Sequence, residues 1–62
     1  MINELEYIDK YKAGNLRGQA VLELFSYLLK TGRVWDLEFG KFAGNLIDRG
    51  YLSESGAILR GI

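Results

Sequence analysis

From Gln19 to Lys30 the chain reads Gln-Ala-Val-Leu-Glu-Leu-Phe-Ser-Tyr-Leu-Leu-Lys, and its polar positions, Gln19, Glu23, Ser26 and Lys30, are spaced by four, three and four. That spacing puts them on one narrow stripe of a helix and leaves Ala20, Val21, Leu22, Leu24, Phe25, Tyr27, Leu28 and Leu29 around the rest of its circumference. The pattern predicts a helix from about Gly18 to Thr31, closed by Gly32, with the other elements packed around it.

Before it, Asn3 and Glu6 have the spacing of a capping box, with Ile2 and Tyr7 placed to form a hydrophobic staple. Glu4 and Glu6 fall in the first turn and Lys10 and Lys12 in the last, as a helix dipole favours. A first helix is therefore predicted from Glu4 to Ala13, ended by Gly14-Asn15, with Leu5 and Ile8 inward alongside Met1 or Ile2 and with Tyr7 and Tyr11 on an adjoining face. Arg33-Val34-Trp35 reads as a connector, with Trp35 folding over the junction of the second and third helices and Asp36 as N-cap. The third helix, Leu37 to Arg49, turns Phe39, Phe42, Ala43, Leu46 and Ile47 inward and Glu38, Lys41, Asn45, Asp48 and Arg49 outward. Gly40 and Gly44 cost that helix roughly 1 kcal/mol each relative to Ala, which points to close approach of another backbone or to a bend. After Gly50, Tyr51-Leu52 is expected to fold onto Leu46 or Ile47, and Ser53 to Gly56 to turn. Ala57 to Arg60 then either pairs back on Tyr51-Leu52 or adds a helical turn. The fold class is mainly α: a compact three-helix domain with a short C-terminal β-hairpin or extended tail, one domain over residues 1–62.

Composition narrows what such a domain does. A chain of 62 residues buries only about 60% of the surface its unfolded form exposes, and small domains often add disulfides, a metal or a partner subunit. There is no Cys and no His, so thiolate and imidazole sites and the usual neutral-pH general base are missing. Self-association remains, with a dimer favoured and the apolar second helix as its surface. Eight basic residues balance eight acidic ones, which gives no support to binding driven by phosphate neutralisation. No apolar run is long enough to span a bilayer, and no signal-peptide layout is seen at the acidic N-terminus; a soluble, intracellular (cytoplasmic) setting is expected.

Candidate chemistry is sparse. Glu4 with Glu6, and Asp36 with Glu38, are close carboxylates, but at helix starts their capping and dipole roles suffice, and a domain this small has little room for a cleft between them. Asp36, Glu38 and Asp48 lack calcium-loop spacing. No enzyme activity, metal or cofactor is expected. Tyr7, Tyr11, Tyr27, Trp35 and Phe39, with Gly40 and Lys41, are the candidate partner-binding residues, because aromatic side chains serve as interface anchors. The alternative is a small winged helix-turn-helix using Lys10, Lys12, Arg17, Lys41 and Arg49 on nucleic acid, although the third helix also carries Asp36, Glu38 and Asp48.

Leu24-Phe25, Leu28, Thr31-Gly32, Trp35, Leu37, Ala43, Leu46-Ile47, Gly50 and Tyr51-Leu52 form a series that resembles a family of short proteins encoded mainly by bacteriophages, with Phe39-Gly40-Lys41 where that family has Tyr-Gly-Arg. The resemblance implies a phage or prophage origin and supplies no activity. By analogy with small phage proteins that block or redirect host machinery, it suits a protein-binding accessory factor acting on a host component.

Overall fold

Three helices carry the fold: α1 (Glu4–Lys12), α2 (Gln19–Lys30) and α3 (Leu37–Asp48), in a computed structural model that describes residues 3–33 and 36–61. The mainly helical class and all three helices agree with the periodicity, each within a residue or two of its expected ends. The staple through Ile2, the inward position of Met1 or Ile2, and the placement of Val34 and Trp35 lie outside the described residues.

Local chemistry sets the helix ends. Asn3 caps α1, its Oδ1 accepting from the Glu6 N–H at 3.1 Å. The Glu6 carboxylate pairs forward with Lys10 at 3.2 Å, one turn along the helix. Asp36 caps α3, accepting from the N–H groups of Glu38 at 2.8 Å and Phe39 at 3.3 Å. At the other end of α3 the Tyr51 N–H donates to the Leu46 carbonyl at 2.9 Å and the Gly50 N–H to that of Ile47 at 3.0 Å. This is the Schellman arrangement, and the glycine-led ends of α1 and α2 repeat it.

The centre of the core is Phe25 of α2, with no exposed surface. Its ring stacks on Phe42 at 5.0 Å between centroids and meets Tyr11 and Phe39 edge-on at 5.4 and 5.6 Å. Tyr11 also reaches Phe39 and Phe42 edge-on, so four rings join α1, α2 and α3 in the geometry aromatic quadrupoles favour. Val21, Leu22, Leu24 and Leu28 of α2, Ile8 of α1, Ala43 and Leu46 of α3, and Leu52 complete the core. The remaining apolar positions of α2, Ala20, Tyr27 and Leu29, are half-buried, so this chain alone covers most of that helix. Among the described residues the large apolar side chains left exposed lie elsewhere, at Leu5, Leu37, Ile58 and Leu59.

The C-terminal segment returns as expected, but as one antiparallel bridge between Leu52 and Ile58 in place of a hairpin of two strands. The Ser53 N–H donates to the Ala57 carbonyl at 2.8 Å, the Leu59 N–H to that of Tyr51 at 2.8 Å, and the Gly56 N–H closes the turn onto Ser53 at 2.9 Å. Short pairing of this kind is marginal in water and depends on its support. That support is α2, against which Gly56 is pressed.

Three expectations are corrected. Ser26 is not on a solvated stripe with Gln19, Glu23 and Lys30; it is 5% exposed, and its hydroxyl donates to the Gly56 carbonyl at 2.5 Å. A small polar side chain at this point lets the turn reach the helix and gives a buried carbonyl its donor. Leu5 is not inward: α1 is rotated so that Ile8, Tyr7 and Tyr11 meet the core and Leu5 is 74% exposed, because two rings bury more apolar area than one leucine. At Gly44 no other backbone among the described residues of this chain approaches, since a Cβ built there meets nothing within 4 Å. Gly44→Ala is therefore expected to stabilise the fold by about 0.5–1 kcal/mol. Thermal denaturation followed by circular dichroism should show the midpoint rising by several degrees, and a lowered midpoint would refute the open surroundings of this residue.

Candidate surface clefts on α3

Two open clefts flank α3, one at each end. At its N-terminal end, Tyr11 and Lys12 of α1 face Asp36, Glu38 and Phe39 around about 460 Å³. Burial raises the Tyr11 phenol above its ordinary pKa, and the nearby Glu38 carboxylate adds to the rise. The protonated phenol therefore contributes stability that is complete below the free phenol's pKa and is lost as pH climbs through the raised one, a window above about pH 10. The walls of this cleft carry charges of both signs.

At the C-terminal end, Phe42, Asn45, Leu46, Arg49 and Tyr51 enclose about 300 Å³. Phe42, Asn45, Leu46 and Arg49 stand at i, i+3, i+4 and i+7, so one side of α3 presents them together. The Schellman turn brings Tyr51 over the end of that side, where it is half-buried against the core. Arg60 then crosses from the returning segment, its guanidinium 4.3 Å from the centre of the Tyr51 ring and donating to the Arg49 carbonyl at 3.0 Å. The cleft thus has apolar and aromatic walls with two guanidiniums beside it. Neither Arg49 nor Arg60 forms an ion pair among the described residues, where the pairs are Glu6 with Lys10 and Glu4 with Arg33.

The structure scatters the residues singled out from the sequence. Tyr11, Lys12 and Phe39 meet at the first cleft. Phe39, taken as an anchor, is instead 4% exposed and its ring is part of the core, a correction that follows from α3 turning the Phe39–Ala43–Leu46 stripe inward. Tyr7 and Tyr27 are half-buried against the core on different helices, Gly40 is half-buried, and Trp35 lies outside the described residues. Lys41 is exposed on α3. Of the cations weighed for nucleic acid, Lys10 is paired with Glu6, Arg17 lies exposed between α1 and α2, and Lys12 and Arg49 belong to different clefts, so no single basic surface gathers them. Sequence reasoning placed Phe42 and Leu46 in the core and missed that their outer edges, with Asn45, Arg49 and Tyr51, form a cleft. Their spacing along α3 was the available signal.

Among the described residues no group of three or more His, Cys, Asp or Glu side chains comes together to hold a metal ion. No helix there is long and apolar enough to cross a membrane.

These features define a small three-helix domain with a folded-back C-terminal segment and open clefts at the two ends of its third helix. The chain belongs to the family described as a domain of unknown function (DUF7417), whose profile matches residues 5–61. No curated protein and no solved structure matches it.

Proposed function

We propose that this chain is a small phage-type accessory protein that acts by protein–protein interaction in the bacterial cytoplasm, binding and modulating a host factor and associating with itself. The observation that carries this reading is the cleft of Phe42, Leu46 and Tyr51 at the C-terminal end of α3, where apolar walls stand beside the guanidiniums of Arg49 and Arg60, neither in an ion pair among the described residues. Aromatic and arginine side chains are the types that concentrate binding energy at protein interfaces. The exposed Leu37, Ile58 and Leu59 add apolar surface to the same α3 and C-terminal elements. Nucleic acid is a poorer match, because the outward positions of α3 include Glu38 and Asp48, which repel a phosphate backbone, alongside Lys41 and Arg49.

The test is capture from bacterial lysate on a tagged chain, with and without nuclease. A stoichiometric protein that survives nuclease and is lost when Arg49 is changed to Glu supports the reading. Nucleic acid that vanishes with nuclease and leaves no protein behind overturns it in favour of the helix-turn-helix alternative.

A further inference from the structure

We infer that the cleft at the C-terminal end of α3 receives the Asp36-Leu37-Glu38 segment of a second copy of this chain. The inference rests on the self-association half of the reading above and gives it a surface. The chain displays two leucines between carboxylates, Glu4-Leu5-Glu6 and Asp36-Leu37-Glu38, with Leu5 74% and Leu37 76% exposed. They are not equivalent. Glu4 is paired with Arg33 at 2.9 Å and Glu6 with Lys10 at 3.2 Å, so the first segment is already neutralised within its own chain. Asp36 and Glu38 form no ion pair among the described residues, and Asp36 uses Oδ1 to cap α3.

The cleft is the converse of that segment. Phe42, Leu46 and Tyr51 offer apolar and aromatic contact to a leucine, Arg49 lines the same cleft, and Arg60 lies on the Tyr51 ring next to it, so cations are at hand for flanking carboxylates. The two halves are complementary: an exposed leucine between two carboxylates that share a cleft with Lys12 without an ion pair among the described residues, against an apolar hollow lined by Arg49 with Arg60 on its Tyr51 wall. Such charge complementarity fixes the register of a contact and disfavours wrong partners. The two halves lie at opposite ends of α3, so the contact either closes as a reciprocal pair or continues head to tail.

Sedimentation velocity of the full chain over a concentration series tests this, using wild type, Leu37→Ser, Arg49→Glu and the double variant Glu38→Arg/Arg49→Glu, with circular dichroism confirming helix content. The expected result is concentration-dependent association that salt weakens. Each single variant should associate roughly tenfold more weakly, and the double variant, which exchanges the charges across the contact, should recover. Leu37 is solvent-exposed, so its variant reads the contact even where a change at Arg49 disturbs the helix end. Wild type that stays monomeric, single variants that associate as wild type does, or a double variant no stronger than Arg49→Glu would overturn the contact. A monomeric chain that still captures a nuclease-resistant protein overturns this contact alone and leaves the wider reading standing.

Discussion

Phe25→Ala is expected to abolish the cooperative thermal transition of this protein. The Phe25 ring has no exposed surface and touches the rings of Tyr11, Phe39 and Phe42, so its removal empties the point where all three helices meet. Truncating a buried phenylalanine costs about 3–5 kcal/mol, from lost transfer energy and from the cavity that remains. A domain of 62 residues has roughly 3–9 kcal/mol of total stability, so the loss is comparable with the whole. Far-ultraviolet circular dichroism on heating should show a broad, shallow change where wild type gives a sigmoid. Phe25→Leu, which keeps much of the volume, should retain a sigmoid with a lowered midpoint. A sharp transition within a few degrees of wild type in the alanine variant would mean that the four-ring cluster does not hold the fold together.

Gly56→Ala is expected to be nearly as damaging, at a position the hydrophobic pattern does not mark. Gly56 has φ +97°, where an L side chain is strained, and an added Cβ would lie 2.8 Å from the Ser26 carbonyl oxygen and 3.2 Å from the Leu29 Cβ. Backbone strain of this type costs about 1–3 kcal/mol, before any displacement of the turn from α2 is counted. Displacement also separates the Ser26 hydroxyl from the Gly56 carbonyl it serves, which costs about 1–3 kcal/mol for a buried group left without its partner. The expected fall in stability is about 2–4 kcal/mol in total, read as a drop in denaturation midpoint of some 10–25 °C. Hydrogen exchange should show the Ser53, Gly56 and Leu59 amides losing protection ahead of those in α1. Gly44→Ala is the natural control: same substitution, open surroundings, opposite sign.

The contrast between these glycines shows what was legible in the sequence. Helix ends were, because caps and terminators act over a few residues: Asn3 and Asp36 accept from the amides their positions predict, and Gly14, Gly32 and Gly50 lead the terminal bonds. The core of α2 was legible as well, since its apolar positions outnumber its polar ones over three turns. The facing of α1 was not. Leu5–Ile8 and Tyr7–Ile8–Tyr11 are overlapping stripes of one short helix, and only packing against Phe25, Phe39 and Phe42 decides between them. Ser26 misled because a polar residue at helical spacing looks solvated, whereas its partner Gly56 lies thirty residues away in the chain. The cleft at the end of α3 escaped because Phe42 and Leu46 are core residues by periodicity; the Schellman turn adds Tyr51 to them, and Arg60 reaches the Tyr51 ring only once the C-terminal segment has folded back.

Site-specific photo-crosslinking in bacterial cells tests most directly whether the outer edge of α3 at that cleft meets another protein. A photoreactive side chain would replace Asn45, exposed at the cleft, and in a control chain Glu23, exposed on α2. Crosslinks to protein from position 45, at the mass of two copies or with a host protein, and none from position 23 are the predicted result. No crosslink from 45, or equal crosslinking from both positions, would contradict it.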